Sequence, residues 1–541
     1  MSATLHPSAT STPSEAASSY AELIEQLKAH LNPTLLAAVS GKFNSYEYEL
    51  QHAQMKVQVL EERLRQQRIA KYGPGSEKLS NLQLELLEVE PGVSNAEVAA
   101  ESERETLPSS SGEKKKRRKH PGRQTLPAHL TRVEKIIACS PEQCKCGNCG
   151  ADTVVIGYEV SEVLDVKPAE YFVEVTKREK RACKQCEEQG VATAPLPVRI
   201  IEKSLVSDGI IIDTVVRKYA DHNPLYRQSV ILLRDAGIDI GRATQCGWVM
   251  TVGEMLMPIV GAMRRELLAG SYIQADETPV DVQTHDGRGK NHQAYLWQYG
   301  TPGAGTVFDF RMSRGREGPA RFLDAFEGIL QTDGYVAYDR GVGGPKMVHA
   351  ACWSHARRQF VDAIKLNKLD AASIGIVELM DKLFAIDARA RDEKMNHAAR
   401  HARRRQEAPP LLEKIREEIL AMSRDVLPKS AAGKACIYTL TLWKRLEHFL
   451  DYPKLELSNN LAENSMRGVA LGRKNWIHIG SQQAGPKVAA ILSVVESCRR
   501  IGLPIREYLA AVLPGLANRS IQQVADLTPA AWIARQTSDN L

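Results

Sequence analysis

The sequence predicts a multidomain α+β protein, and three features carry that expectation. The chain has 541 residues, which at about one to two hundred residues per domain implies several domains. Two Cys-x-x-Cys pairs, Cys146/Cys149 and Cys183/Cys186, mark a small cysteine-built module. From Ser271 onward, helical periodicity gives way to segments in the order strand, strand, strand, helix, strand, strand, helix. Hydrophobic residues make up 43% of the chain, enough for sizeable cores.

Residues 1–19 are rich in Ser, Thr, Ala and Pro and are expected to be disordered. They lack the charged start and apolar centre of a secretory signal. No run of 18 or more apolar residues occurs, so no membrane contact is expected. The expected setting is the cytoplasm, in association with the nucleoid, where thiols are reduced and ten cysteines need a role other than disulfides. Residues 20–73 read as helix, with Leu50, Ala53, Val57, Leu60 and Leu64 at three–four spacing. That stripe either pairs two chains as a short coiled coil, giving a homo-oligomer, or packs on its own protein. Tyr72-Gly-Pro-Gly-Ser76 ends the helix.

Residues 74–135 form a linker that contains the basic run Lys114, Lys115, Lys116, Arg117, Arg118 and Lys119. A net charge of +6, from 71 basic and 65 acidic residues, says little by itself about nucleic acid. A dense cluster says more: such a run is either a solvated arm or a phosphate-contacting one.

Residues 136–200 hold the knuckles Cys146-Gly-Asn-Cys149 and Cys183-Lys-Gln-Cys186, joined by strand-like segments such as Tyr171-Phe-Val-Glu-Val175. Each knuckle puts two thiolates on one side of a tight turn, so the pair predicts a zinc ribbon with one structural Zn²⁺. Unligated or redox cysteines are the alternative, and Cys139 and Cys144 lie nearby. Residues 201–269 read as helical. A helix from Pro224 to Asp235, a turn at Ala236-Gly-Ile-Asp-Ile240 and a helix from Arg242 to Met255 have a helix-turn-helix outline. Any all-helical module has such corners, so DNA reading there stays open.

Residues 270–365 supply strands at Tyr272–Thr278, Gln293–Tyr299 and Thr306–Phe310, a helix at Glu317–Glu327, strands at Gly328–Tyr335 and Met347–Cys352, and a helix at Ser354–Ile364. This order predicts a ribonuclease-H-like core. In that fold the first and fourth strands and a later helix each present one acid. Asp276 and Asp333 occupy the strand positions. Glu463 lies early in a helix that Ser458 is placed to cap. Three converging carboxylates repel one another unless cations sit between them, and hard oxygen donors suit two Mg²⁺ or Mn²⁺ ions per site. Residues 366–455 are more chain than the fold needs and read as a helical insertion. Arg389, Arg391, Lys394, Arg400, Arg403, Arg404 and Arg405 make part of it basic, either as a solvated face or as a DNA contact. Residues 456–500 complete the core and 501–541 form a helical tail. Arg467, Arg473 and Lys474 flank Glu463 and are candidate phosphate holders.

These motifs resemble, in one order along most of the chain, the insertion-sequence sixty-six family of bacterial transposases. The resemblance rests on Gly73 with Ser76-Glu-Lys78, the cysteine knuckles, Lys218-Tyr and Pro224-Leu-Tyr-Arg227. It continues through Ala275-Asp-Glu-Thr278, Thr332-Asp-Gly-Tyr335, Cys352-Trp-Ser-His-Ala-Arg-Arg358, Asn459-Asn-Leu-Ala-Glu463, Gly472-Arg-Lys-Asn475, Gly480-Ser481 and Gly502-Leu-Pro. The resemblance implies a DDE transposase acting on transposon ends and target DNA, with Asp276, Asp333 and Glu463 as its triad and accessory proteins of the same element as partners. It makes Cys352 and His355 a C-x-x-H feature supporting the site. The chain departs from the family pattern where an arginine is expected before Ser76, and at Asn464, where arginine usually follows the glutamate. A nuclease on the same fold, or a zinc-ribbon DNA-binding regulator, are the rival readings.

Overall fold

The computed structural model describes residues 32–72, 151–152, 170–182, 191–284, 290–339 and 341–539. The expected disordered N-terminus, the linker with Lys114–Lys119, and Cys146, Cys149, Cys183 and Cys186 lie outside the described residues. The chain forms two compact units, one from residues 1–105, 198–228 and 241–541, the other from 106–197 and 229–240.

In the first unit, helix α1 (Pro33–Tyr72) leaves Leu50, Val57, Leu60 and Leu64 exposed along its length. In the second unit, β1 (Lys180–Ala182) and β2 (Val191–Thr193) pair antiparallel, Arg181 opposite Ala192. The strand expected at Tyr171–Val175 is absent. Phe172 and Val173 are 85% and 84% exposed, so alternation there meets neither a partner strand nor a core.

Helices α2 (Asp208–Tyr219), α3 (Leu225–Ala236) and α4 (Arg242–Ala269) follow. Gly237 ends α3 at φ +68, a conformation that costs glycine least. Both helices of the expected helix-turn-helix outline exist, but α4 runs on past Met255 to Ala269. It buries Trp248, Val249, Val252, Leu256 and Ile259. At Gly253 it passes so close to the helix Ala484–Arg500 that a Cβ would lie 2.8 Å from the Lys487 carbonyl oxygen. Among the described residues α4 is long and apolar enough to cross a membrane by composition, but 44% of that apolar stretch is buried inside the fold.

The sheet is built around β3 (Tyr272–Val282). On one side β3 pairs antiparallel with β4 (His292–Gly300), and β4 with β5 (Thr306–Arg311). Helix α5 (Glu317–Leu323) then leads to β6 (Ile329–Thr332), parallel to β3 on its other side, and β7 (Val348–Ala351) lies parallel beyond it. The order is β5-β4-β3-β6-β7. Most of β4 and all of β6 are buried, including the polar Gln298, Gln331 and Thr332. Helix α5 is one turn shorter than expected because Asp324 takes φ +47 and turns the chain.

Helix α6 (Trp353–Leu366) ends the first part of the core, and the insertion follows as α7 (Ala371–Asp392), α8 (His397–Asp425), α9 (Ala431–Thr441) and α10 (Trp443–Glu447). They share a core in which Phe360, Met380, Phe384, Ile415 and Trp443 meet. Helix α11 (Asn460–Trp476) returns the chain to the sheet, and β8 (His478–Ile479) pairs parallel with the far end of β3. Helix α12 (Ala484–Arg500) covers the exposed side of β5. The Thr306 and Phe308 N–H groups donate to Ser497 Oγ and Ser493 Oγ at 2.9 and 2.8 Å. Side-chain oxygens thus satisfy an edge strand that would otherwise recruit another chain. Ile505–Val512, Ile521–Ala525 and Pro529–Asp539 complete the helical C-terminus.

Candidate active site

Parallel register brings the first two acids together. Gln274 of β3 lies opposite Gln331 of β6, so Asp276, midway along β3, and Asp333, just past the end of β6, each stand two residues further on. Asp333 begins the turn after β6; its carboxylate accepts from the Tyr335 N–H at 2.8 Å. Gly334, at φ +89, completes that turn. Tyr438 of α9 donates its hydroxyl to the Asp333 carbonyl oxygen, so the insertion buttresses the turn.

The third acid arrives on α11. The helix begins at Asn460 with Asn459 in the capping position, one residue later than the expected Ser458, and Glu463 sits in its first turn. Glu463 Oε2 accepts from Arg358 Nη2 at 3.0 Å, and His355 Nε2 stands 3.4 Å from Oε1. Cys352 Sγ accepts from the Asn459 N–H at 3.4 Å. The Cys352/His355 pair on α6 therefore holds the start of the Glu463 helix, with Arg358 as a third anchor that sequence reasoning did not single out. Its spacing was a usable signal, one helical turn beyond His355 on the same face.

Charge divides the acids. Burial, then Glu463 and Glu277, push the Asp276 carboxyl well above the usual carboxylate range. Burial also opposes the charge on Glu463, but Arg358, His355 and Arg467 outweigh it and hold the group below its ordinary value. Burial would lower His355; Glu463 and Cys352 instead push it up to about 10. Glu277 points away from this cluster. Its side chain is 2% exposed, accepts from Arg314 Nη2 at 2.7 Å, and takes a 3.1 Å hydrogen bond from the Tyr338 hydroxyl.

The donor set fits hard divalent cations. Three carboxylates converge, one of them destabilised by the others, and Glu463 Oε1 is buried without a hydrogen-bond partner. Among the described residues no three His, Cys, Asp or Glu side chains are close enough to grip one ion as they stand. Glu463 is turned onto Arg358 and His355, so its carboxylate must swing off that pair to share a ligand.

The flanking cations separate. Arg473 is spent on the sheet, donating from Nη1 to Thr278 Oγ1 at 2.9 Å and to the Pro279 carbonyl oxygen. Lys474 is exposed, and Arg467 lies half-buried one turn beyond Glu463. Part of the insertion's basic charge is committed as well, while Arg389, Lys394 and Arg405 stay exposed, as the solvated-face reading expects. Arg404 pairs with Asp387, and Arg391 and Arg400 with Glu456, all buried or nearly so; Arg389 and Arg403 pair with Glu407 and Glu393. Long-range acids brought in by the fold take up this charge before any phosphate could.

Residues 203–487 match the family described as Transposase IS66 family. Residues 143–187, which span both cysteine knuckles, match the zinc-finger binding domain of transposase IS66. Residues 59–134 match a domain described as Transposase C of IS166 homeodomain. An uncharacterized protein of Sinorhizobium fredii, y4jD, is 33% identical over 76% of this chain and 82% of its own length. A second from the same organism, y4qI, is 31% identical over 80% of this chain and 79% of its own. A third, y4hP, is 28% identical over 88% of each.

Proposed function

The chain belongs to the IS66 transposase family, and from that premise we propose that it is a DDE transposase whose Asp276, Asp333 and Glu463 serve phosphodiester cleavage and strand transfer. The observation that supports this reading is the β3–β6 register, in which Asp276 within β3 and Asp333 just after β6 each follow the paired glutamines by two residues, with Glu463 in the first turn of α11. The sheet order β5-β4-β3-β6-β7, antiparallel then parallel, supports a ribonuclease-H-like core.

In the first step water attacks a phosphorus at the element's end, the P–O3′ bond breaks, and a 3′-hydroxyl is freed. In the second that hydroxyl attacks a target phosphodiester, displacing another 3′-oxygen, so bonds are exchanged and no energy source is consumed. Two Mg²⁺ or Mn²⁺ ions, when bound by the three acids, supply activation of the attacking oxygen and stabilisation of the leaving one. Arg358, His355 and Cys352 fix where Glu463 begins. Lys474 and Arg467 are placed to hold phosphates, which positions DNA without reading sequence. Cys146, Cys149, Cys183 and Cys186 hold one structural Zn²⁺. Helix α1, with its exposed apolar side chains, joins two chains.

The test uses duplex DNA from the flanks of this chain's own coding sequence, with Mg²⁺, and products mapped to the nucleotide. Cleavage at fixed positions, followed by joining of precut ends to a second duplex, is the expected result. Cleavage without joining makes the protein a nuclease; neither, with binding retained, makes it a regulator.

A further inference from the structure

Residues 455–459 run into the Glu463 helix without regular structure, yet every one of them is buried. Buried backbone of this kind must find partners outside itself, and it finds them in β3 and β6, the strands that carry or lead to the other two acids, and in α6 and α8. The Leu455 carbonyl oxygen accepts from Arg404 Nη1 at 2.6 Å. That of Glu456 accepts from Gln331 Nε2 at 2.7 Å, and the Glu456 N–H donates to the Tyr272 hydroxyl oxygen at 3.3 Å. The Leu457 carbonyl oxygen accepts from the Trp353 N–H at 2.9 Å, and that of Ser458 from Gln274 Nε2 at 2.9 Å.

Tyr272, Gln274 and Gln331 also bond one another. The Tyr272 hydroxyl donates to Gln331 Oε1, and Gln274 Nε2 lies 2.8 Å from the Tyr272 oxygen and 3.1 Å from Gln331 Oε1. Gln274 and Gln331 are 1% and 0% exposed. Buried polar groups of this cost would be replaced by apolar ones if packing were their only task. Strand alternation puts Gln274 on the same face as Asp276, and Gln331 on the same face as Asp333.

We propose that Gln274 and Gln331, tied through Tyr272, are positioning residues that set the Glu463 helix in register with Asp276 and Asp333 by holding the Glu456 and Ser458 carbonyl oxygens. The role rests on the triad reading above. Each glutamine touches neither DNA nor the reacting atoms. It converts strand register, which aligns two acids, into the placement of the third.

Gln274→Met and Gln331→Met keep size and burial but cannot donate, and Tyr272→Phe is a milder break should either fail to fold. The full-length variants are compared with wild type and Asp276→Asn by hydrogen exchange and by cleavage of the flanking duplex over a Mg²⁺ series. Amides of residues 456–463 should exchange faster in the seam variants and not in Asp276→Asn, with α12 unchanged. Cleavage at saturating DNA should fall about tenfold to a hundredfold, the usual effect of removing an outer-shell support. Half-maximal Mg²⁺ should rise while DNA affinity holds. Unchanged exchange at 456–463 overturns the proposal. So does faster exchange with unaltered rate and Mg²⁺ dependence, and so does loosening that spreads to α12, which marks a merely structural role. If wild type cuts nothing with Mg²⁺ or Mn²⁺, the triad reading fails and the positioning role falls with it, while exchange still reports whether the seam holds the helix.

Discussion

The clearest asymmetry at the site is between adjacent carboxylates, Asp276 and Glu277. They alternate across β3, and the structure gives them different company. Asp276 is acted on by burial, then Glu463 and Glu277; Glu277, raised mainly by burial, accepts hydrogen bonds from Arg314 and Tyr338. Asp276→Asn, Asp333→Asn and Glu463→Gln should each abolish cleavage and strand transfer in the mapped-product assay while leaving DNA binding intact. Double changes should cost little more than single ones, since the acids act as a unit. Glu277→Gln keeps an acceptor for Tyr338 and weakens the two charge-assisted bonds from Arg314, on the order of 1.5–3 kcal/mol of stability, and should stay active. A dead Glu277→Gln beside a cutting Asp276→Asn would show the wrong face of β3 to be in use. A stability effect follows from the raised Asp276 carboxyl. A carboxyl held above its unfolded value costs stability at neutral pH, a cost that fades as pH falls through the folded value. Metal-free Asp276→Asn should therefore melt above wild type at pH 7, and added Mg²⁺ should raise the wild-type Tm more than the variant's. Asp276 and Asp333 stood out in the sequence because acids beside strand and turn signals are local features. Arg358 was reachable from its spacing beyond His355, whereas the glutamine seam was not, since its partners at Glu456 and Ser458 lie far along the chain.

At the scale of elements, the insertion shows how a basic sequence can become interior. On α8 the buried side chains are Arg400, Arg404, Ala408, Leu412, Ile415, Ile419 and Met422. The two arginines continue an apolar stripe at three–four spacing. That spacing was readable and points to burial, but Asp387 and Glu456, which make burial tolerable, come from other segments. Arg404→Ala leaves Asp387 buried and uncompensated and should destabilise the chain by about 3–5 kcal/mol, measured by denaturant unfolding with DNA-binding affinity of the folded fraction unchanged. Elsewhere β4, β5 and β7 fell within a residue of their expected bounds, whereas β3 runs on past Thr278 to Val282 and β6 covers only Ile329–Thr332 of the expected Gly328–Tyr335. Tyr171–Val175 alternates equally well and forms no strand, which shows that alternation needs a core to face. For the cysteine module, paired knuckles and the zinc-finger match over 143–187 support one ion. Elemental analysis of the purified chain should give about one zinc per chain, and Cys146→Ser should lose it while the sheet and insertion stay folded. Fully folded, zinc-free protein would refute the ligand set.

For the whole molecule, charge has to be placed before it can be interpreted. The net excess is +6, and the structure removes much of the insertion's basic charge from consideration by pairing it internally. What remains for DNA is the surface near the acids and the run Lys114–Lys119. That run lies between the expected helix and the cysteine module, inside the stretch matched over residues 59–134. Six consecutive cations form a dense line of positive charge, which is suited to phosphate contacts along the DNA backbone. Each phosphate contact releases counterions, so the logarithm of affinity falls with the logarithm of salt by about 0.9 per contact on duplex DNA. Replacing Lys114, Lys115, Lys116, Arg117, Arg118 and Lys119 with glutamine should weaken binding to cognate and unrelated duplexes alike and flatten the salt slope on both. Cleavage positions should not move, because the acids and their supports are untouched. Fluorescence anisotropy on the two duplexes over a salt series separates the cases: a loss confined to the cognate duplex, with the slope on unrelated DNA unchanged, would mean that the run reads sequence.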